Sequence, residues 1–307
     1  MTRRARVVVG VIALGLVGLG VASVAAIALR PLAVFETYER LRLRVGGMER
    51  RSVSGPRGPL VYWAGGTGPL VFFLHGANDQ AGTWVRVIAP LRDRHRIVLL
   101  DLAGHGASAP ASGALSVKDI LDGVEAVVAA EYRTDRVTLV GNSLGGWLAL
   151  LYAERHPDRV RQVVLVNGVA IRDETSGRRV NLLPRNRQEA SAALQATMSP
   201  ASPPIPGFVM DDLIRRAPAS PLARMMASPV ADDLLIDARI GRLHTPVTLI
   251  WGEDDQVLPP AYARRVAAAL PQAELVLLPR CGHVPQRECP DQLRPALEKA
   301  LGSPPNR

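Results

Sequence analysis

Residues 137–155 read VTLVGNSLGGWLALLYAER, an apolar run of strand length, a glycine-rich turn and a helix-like segment in immediate succession. The turn carries the pattern G-x-S-x-G with Ser143 at its centre. Such a turn forces the serine into a strained backbone conformation, and the small residues next to it let neighbouring parts of the chain pass close to the turn. The hydroxyl then stands beside the free N–H groups of a helix N-terminus. This context predicts a nucleophile elbow, and the alternative is a glycine-rich turn in which Ser143 only caps the helix.

A nucleophilic serine needs a general base, and that base needs an acid that orients it. Both follow Ser143 in the chain order that this kind of turn predicts, first the acid and then a histidine. Acidic residues come directly after the strand-like run 247–251, and His283 comes after the run 275–278. A carboxylate just past a strand end is well placed to hold an imidazole. The candidate acids are Glu253, Asp254 and Asp255.

The remaining histidines are less suited to the proton transfer, and they are His75, His95, His105, His156 and His244. His75 is expected to form a structural hydrogen bond beneath the loop that follows run 70–74. Because it directly follows that run, a position near the site is the alternative. His105, in a G-H-G loop, is expected to shape the site. Two backbone N–H groups, those of Ala77 and Leu144, are predicted to bind the oxyanion. Asn78 is an alternative donor through its side-chain amide, or it forms a turn.

Strand-like and helix-like segments alternate from residue 59 onwards, which predicts βαβ units and a mostly parallel sheet. The strand-like runs are 60–64, 70–74, 96–102, 137–141, 160–166, 247–251 and 274–278. The helix-like segments lie near 81–92, 116–131, 144–155, 259–270 and 291–301. We therefore assign residues 59–168 and 246–303 to an α/β core. Residues 169–245 break the alternation and are predicted to form a mostly helical cap, with helical pieces near 187–198, 209–217 and 231–241.

The chain of 307 residues has a net charge of +9, which raises the question of a nucleic-acid partner. Residues 1–60 hold ten arginines and three glutamates, so this segment carries +7 and the rest of the chain only +2. Because a nucleic-acid enzyme usually carries its basic excess on the working domain, no nucleic-acid partner is expected. The hydrophobic fraction of 48% excludes an intrinsically disordered chain.

The basic excess flanks residues 7–29, a stretch without any charged side chain. As a helix it would be about 34 Å long, enough to cross a bilayer core of about 30 Å. We therefore predict a transmembrane anchor within residues 1–30, followed by an arginine-rich connector over residues 31–58. A cleaved signal peptide is the alternative, although its apolar part is usually shorter. The arginines of the short N-terminal tail favour a single-pass protein whose catalytic domain lies on the extracytoplasmic side.

Residues 59–303 resemble the α/β-hydrolase superfamily in five motifs that occur in the family's order. These are HG at 75–76, DLAGHGAS at 101–108, GNSLGG at 141–146, WGEDD at 251–255 and GHVP at 282–285. The resemblance implies Ser143 as nucleophile, His283 as base and Asp255, the second aspartate of the W-G-x-x-D pattern, as acid. Some members of the superfamily carry the acid after the preceding strand, here the run 160–166, where this sequence has Asn167 and Gly168. The family chemistry needs no cofactor or metal.

The expected activity is hydrolysis of a small-molecule carboxylic ester through an acyl-enzyme. A bilayer tether favours lipid-like esters. Asn142 before the nucleophile resembles the meta-cleavage product hydrolases, which cut carbon–carbon bonds, but the loop HGANDQ at 75–80 departs from their glycine-rich loop. A serine nucleophile argues against the haloalkane dehalogenase and epoxide hydrolase branches. A non-catalytic binding protein on the same fold is the alternative of another class.

Cys281 and Cys289 are the two cysteines, and they flank His283 in the sequence. They could pair if the domain lies in an oxidising compartment. The sequence favours the other expectation, two free and mostly buried thiols.

Overall fold

The computed structural model describes residues 24–172, 180–270 and 272–302, and within them the strands form one eight-stranded sheet. The strands are β1 Glu49–Gly55, β2 Gly58–Gly65, β3 Leu70–Leu74, β4 Arg96–Leu100, β5 Val137–Ser143, β6 Val160–Gly168, β7 Val247–Gly252 and β8 Glu274–Leu278. Their order in space is β1-β2-β4-β3-β5-β6-β7-β8. Strand β2 runs antiparallel to β1 and β4, and the other pairs are parallel. The predicted mostly parallel sheet is confirmed.

Helices flank this sheet and form the cap. They are α1 Pro31–Val45, α2 Val117–Glu131, α3 Leu144–Arg155, α4 Arg187–Thr197, α5 Gly207–Arg216, α6 Pro221–Met226, α7 Pro260–Ala269, α8 Pro285–Glu288 and α9 Pro290–Leu301. The helix predicted over residues 81–92 is instead two 3₁₀ turns, Ala81–Trp84 and Leu91–Asp93. Pro90 lies between them, and a proline inside this stretch removes a backbone donor that a continuous helix would need.

Both faces of the sheet are covered, so the central strands are apolar on both sides. Along β6, Val163 and Leu165 face the core that contains α2 and α3 residues. Val164 and Val166 face a second core, to which α1 and α9 contribute. This alternation is expected for a parallel sheet between two helical layers. Neighbouring parallel strands also end at a common edge, where the polar loops after β5, β7 and β8 come together.

Residues 31–58 differ from the connector that their composition suggested. Helix α1 fills most of the first half, and β1 pairs with β2 along its whole length, from Glu49 opposite Ala64 to Gly55 opposite Gly58. The sequence of β1, ERRSVSG, lacks the apolar alternation by which a strand is recognised. Its position at the edge of the sheet permits this polar sequence, because an edge strand covers little of the core.

The cap is mostly helical in its described part, as expected. Helices α4 and α5 correspond to the first two predicted pieces, and α6 is an additional short helix. The third piece, near 231–241, is instead two 3₁₀ turns, Asp232–Leu234 and Ile240–Arg242. The indole of Trp147 in α3 donates to the carbonyl of Leu234 at 3.0 Å. Leu234, Ile236 and Ile240 of this stretch are buried in the core.

The predicted anchor, residues 7–29, lies mostly outside the described residues. Its last part, residues 24–29, is helical and exposed. In the part of the chain that the structure describes, no helix is both long and apolar enough to cross a bilayer.

Candidate active site

Ser143 is the last residue of β5, and α3 begins at Leu144 directly after it. Its backbone has φ 50° and ψ −117°, a strained combination for a residue with a side chain. A Cβ on Gly141 would overlap the Gly145 backbone, and a Cβ on Gly145 would overlap the carbonyl of Leu74. The expected strained turn is therefore present. The Ser143 side chain makes no capping hydrogen bond to α3, which argues against the purely structural interpretation.

Asp255 and His283 form a buried pair after β7 and β8. Nδ1 of His283 lies 2.8 Å from Oδ2 of Asp255, and the residues are 2% and 5% exposed, respectively. Oδ1 of Asp255 accepts hydrogen bonds from the N–H groups of Val257 at 2.8 Å and Leu258 at 2.9 Å. When the Nδ1–H donates to the carboxylate, the neutral imidazole keeps its lone pair on Nε2, as a general base requires.

The neighbouring carboxylates have other surroundings. Asp254 accepts a hydrogen bond from the hydroxyl of Ser199 at 2.5 Å, and Glu253 is exposed. Of the three candidate acids, the structure therefore brings Asp255 to the histidine.

One cavity of about 180 Å³ brings together the elbow, the histidine and the cap. Ser143 and His283 both line it, and Ala77 and Asn78 line it from the loop after β3. The cap contributes apolar side chains to the same cavity, including Leu182, Leu194, Leu213 and Leu222. A ligand in this cavity would therefore contact the serine, the histidine and an apolar wall.

The loop after β3 is held from both sides. Asn78 has φ 62°, and its Oδ1 accepts from the N–H of Leu222 at the start of α6, which ties the loop to the cap. Beneath the loop, His75 is fully buried. Its Nδ1 lies 2.7 Å from the carbonyl of Gly76, and its Nε2 accepts from the N–H of Leu102 at 3.0 Å. Because Nε2 accepts a hydrogen bond, the expected structural role of His75 is confirmed, and burial lowers the pKa of His75 in agreement with a neutral ring.

Asn142, next to the nucleophile, joins three parts of the site. Its Nδ2 donates to the carbonyl of Val166 at 2.8 Å and to that of His283 at 3.1 Å. Its Oδ1 accepts from the side chain of Gln286 at 3.1 Å. Asn142 therefore links β5, β6 and the histidine loop, a structural reason for an asparagine that does not depend on the substrate.

Asn167, at the end of β6, supports the acid. Its Nδ2 donates to Oδ2 of Asp255 at 2.5 Å, and its Oδ1 accepts from the N–H of Gly252 at 3.1 Å. The backbone of Asn167 is left-handed, with φ 47°, a conformation that asparagine tolerates better than most residues. The sequence singles out this position only because it lacks the acid that some members of the superfamily carry there. Asn167 contacts Asp255 because the strands that precede these two residues lie side by side.

Replacing Asn167 with alanine is expected to lower the free energy of unfolding by about 2–4 kcal/mol, because a buried N–H and a buried carboxylate oxygen each lose a partner. Urea unfolding measures the change. Asn181→Ala is the matched control, since Asn181 is exposed and its two side-chain hydrogen bonds, to Glu189 and from the Leu183 N–H, both lie at the surface. We expect the control to change the free energy of unfolding by less than about 0.5 kcal/mol. Equal unfolding midpoints for both variants would contradict the role of Asn167.

A partly buried ionic group lies beside the site, around Arg287 in α8. Its guanidinium donates to Glu39 of α1 at 2.9 Å and to Asp79 at 2.7 Å. It also donates to Thr83 at 2.9 Å. Arg287 therefore connects the histidine loop, the loop after β3 and α1. The sequence did not indicate this group, because its members lie up to 248 positions apart.

Glu39 is 3% exposed, and burial raises its pKa to about 7, with Asp79 acting in the same direction and Arg287 opposing it. A carboxyl whose pKa is higher in the folded state makes stability fall as pH rises from the unfolded pKa to the folded one. We therefore expect the stability of the wild type, relative to Glu39→Gln, to fall by on the order of 3 kcal/mol between pH 4.5 and 7. Urea unfolding of both proteins across this range measures it. Parallel pH profiles would show that Glu39 does not titrate as described.

Cys281 and Cys289 form a disulfide, with their Cα atoms 5.9 Å apart. The expectation of free thiols is therefore wrong. The short helix α8 turns the chain back between the two cysteines, which brings them within bonding distance. The bridge closes the loop that carries His283.

Comparisons with known proteins agree with this architecture. Residues 71–296 match the model of the "Alpha/beta hydrolase family". A pimeloyl-[acyl-carrier protein] methyl ester esterase of Nitrosomonas europaea is 30% identical over 241 residues, which is 74% of this chain and 93% of the relative. A 2-hydroxy-6-oxononadienedioate/2-hydroxy-6-oxononatrienedioate hydrolase of Cupriavidus pinatubonensis is 29% identical over 71% of this chain and 81% of the relative.

Among solved structures, a membrane phospholipase A superposes with a TM-score of 0.73 at 25% sequence identity. The match covers 94% of this chain and 97% of that one. The family model spans well over half of the chain, and the relatives named above are hydrolytic enzymes. This chain therefore belongs to the α/β hydrolase family.

Proposed function

We propose that the protein is a membrane-anchored serine hydrolase that cleaves a carboxylic ester through an acyl-enzyme. Ser143 is the nucleophile, His283 the general base and Asp255 the acid that orients it. The observation that carries the proposal is that the strained Ser143 and the Asp255-bound His283 line one cavity.

The reaction proceeds in two halves. Nε2 of His283 takes the hydroxyl proton of Ser143 as Oγ attacks the carbonyl carbon of the ester. The backbone N–H groups of Ala77 and Leu144 stabilise the oxyanion. The protonated His283 then gives its proton to the leaving alkoxide, and the alcohol departs. In the second half His283 deprotonates water, which attacks the acyl-enzyme, and the acid leaves as Ser143 regains its proton.

The cavity supports an apolar acyl group as the part of the substrate nearest Ser143. Its cap side is built mainly from leucine, alanine and proline side chains, with Thr197 as the one polar side chain and no charged one among the lining residues that the structure describes. Burial of apolar surface contributes about 0.8 kcal/mol per methylene, so a longer acyl chain binds better until the cavity is filled. The esterase among the relatives and the phospholipase among the structures are consistent with an ester substrate.

The anchor and the side of the membrane are part of the proposal. Residues 7–29 are free of charge and long enough to span a bilayer core of about 30 Å. The disulfide Cys281–Cys289 favours an oxidising compartment and therefore an extracytoplasmic catalytic domain. The structural similarity to a membrane phospholipase A agrees with a location at a bilayer.

Carbon–carbon bond hydrolysis by the same three residues is the second candidate. It is favoured by the asparagine before the nucleophile and by the Cupriavidus pinatubonensis relative. The structural contacts of Asn142 and the absence of a glycine-rich loop over residues 75–80 argue for the ester instead.

The full chain, purified in detergent, tests the proposal in two ways. A fluorophosphonate probe is expected to label the wild type and to leave Ser143→Ala unlabelled, whereas equal labelling would refute Ser143 as nucleophile. A panel of activated esters with increasing acyl length is compared with vinylogous diketones. Turnover of esters alone supports the ester hydrolase, and turnover of diketones alone supports the second candidate. Probe labelling without turnover of either class would contradict both substrate assignments.

A further inference from the structure

Helix α1 has an apolar face that the rest of the described protein leaves uncovered. Leu43 and Glu39 are buried against the core. Tyr38, Leu41 and Val45 lie on the opposite side, at positions i, i+3 and i+7, and they are 53%, 56% and 81% exposed. Helical surfaces that face water are normally polar. A row of large apolar side chains on the outer face therefore points to a surface that is covered in the functional protein.

Exposed arginines lie in the same helix and in the strand that follows it. Arg42 and Arg44 are exposed in the last turns of α1, and Arg50 is exposed at the start of β1. The Arg42 guanidinium lies 5.9 Å from the centre of the Tyr38 ring. None of these three arginines forms an ion pair with the residues that the structure describes. Their positive charge is thus available to an anionic partner.

The chain before α1 leads towards the proposed anchor. Residues 24–29 are helical and expose Val24, Ile27 and Leu29 by 68%, 48% and 71%. They form the end of the uncharged stretch 7–29. Arg30 then leaves the helical conformation, with φ −141° and ψ 54°, so the helix axis changes direction before Pro31. A helix that follows a membrane anchor and carries apolar side chains and arginines on its outer face has the composition of a helix that lies in the membrane interface.

We infer that the outer face of α1 docks on an anionic lipid bilayer. Tyr38, Leu41 and Val45 enter the boundary between headgroups and acyl chains, and Arg42, Arg44 and Arg50 contact the anionic headgroups. Each arginine near such a surface contributes about fivefold to the affinity. This placement of α1 at the membrane rests on the anchor of the proposed function. It does not depend on which bond the enzyme cleaves.

The inner side of α1 explains what docking would do. The Leu32 N–H donates to Asp212 of α5 at 3.1 Å, and Arg216 of α5 pairs with Glu36 at 2.7 Å. The neighbouring residue of α5, Leu213, lines the cavity of the candidate site. Because α1 is joined directly to this cap helix, docking of α1 would hold the cap next to the lipid surface.

Bromolipid quenching of a fluorophore tests the docking in the full chain reconstituted into vesicles. Since Cys281 and Cys289 are paired, a label reacts with an introduced thiol. Leu41→Cys carries it on the apolar face, and Lys118→Cys, whose native side chain is 64% exposed on the opposite side of the sheet, is the control. We expect strong quenching at position 41 and little at position 118. The effect should be larger in vesicles of phosphatidylcholine with phosphatidylglycerol than in phosphatidylcholine alone.

The other outcomes contradict the inference in distinguishable ways. If the protein floats with the vesicles but position 41 is not quenched, the anchor stands and the docking is wrong. If it does not float with them, the anchor of the proposed function also fails. Disulfide crosslinking between two copies at position 41, without quenching, identifies a second copy as the occupant. Equal quenching in both vesicle types overturns the assignment of anionic headgroups.

Activity separates docking from catalysis. Leu41→Glu is expected to lower hydrolysis of an ester embedded in vesicles by about tenfold, corresponding to the loss of one buried apolar side chain. Hydrolysis of a water-soluble ester should stay unchanged. Lys118→Glu is the control, since it also adds a negative charge but at a side chain that is 64% exposed and lies on the opposite side of the sheet from α1. Equal losses on both substrates, or in both variants, would overturn the docking inference.

Discussion

Replacing Ser143 with alanine is expected to lower kcat/KM for an ester by about 10⁴- to 10⁶-fold, since no other group can form the acyl-enzyme. The backbone strain at φ 50° is unaffected, because alanine keeps the Cβ of serine. Stability should therefore change little. Steady-state kinetics with an activated ester and thermal unfolding of the same preparation measure the two effects.

The control for this experiment is Ser191→Ala. Ser191 lies in α4 of the cap and accepts a hydrogen bond from Gln195, so its loss should change kcat/KM by less than about twofold, within the range of an ordinary surface substitution. A residual rate above that of water is expected from binding and from the oxyanion donors alone. If Ser143→Ala kept a tenth or more of the wild-type activity, the serine mechanism would be wrong.

Replacing Asp255 with asparagine is expected to lower kcat by about 10³- to 10⁴-fold. Asp255 accepts from His283 Nδ1 at 2.8 Å while the Val257 and Leu258 N–H groups hold its other oxygen. An asparagine at this position keeps the shape, but it neither stabilises an imidazolium nor reliably selects the tautomer with a free Nε2. KM should change much less than kcat, because the cavity lining does not include this side chain.

Asp254→Asn is the matched control, one position away with the same change in chemistry. Asp254 bonds to the hydroxyl of Ser199 and not to the histidine, so we expect its activity to stay within about tenfold of wild type, the cost of weakening one hydrogen bond. Similar losses in both variants would show that a general change in local charge, and not the pair with His283, is responsible.

Much of the core could be predicted from the sequence, because its signals are local. The strands Leu70–Leu74 and Glu274–Leu278 have the predicted bounds, and the turn around Ser143 was recognised from its glycines. These elements follow from the periodicity of apolar side chains and from the steric needs of one sharp turn. The edge strand β1 was missed for the same reason, since its sequence has no such periodicity.

The cysteine pair and the supports of the site depend on contacts that no local pattern encodes. Cys281 and Cys289 meet because α8 reverses the chain between them. Asn167 contacts Asp255 because β6 and β7 are neighbours, and Glu39 contacts Arg287 because α1 packs beside α8. Each of these contacts forms only when the fold places distant segments of the chain side by side, so a local sequence pattern does not predict it.

The sequence by itself therefore determined which core strands and helices follow one another along the chain. It also determined the serine turn and the candidate acid and base, because each depends on residues close together along the chain. The family resemblance had already singled out Asp255 as the acid. Only the tertiary structure showed its contact with His283, which residues hold that pair, and that the outer face of α1 is apolar and uncovered. These features depend on which surfaces the packed domain buries and which it leaves open, and this is a property of the whole fold.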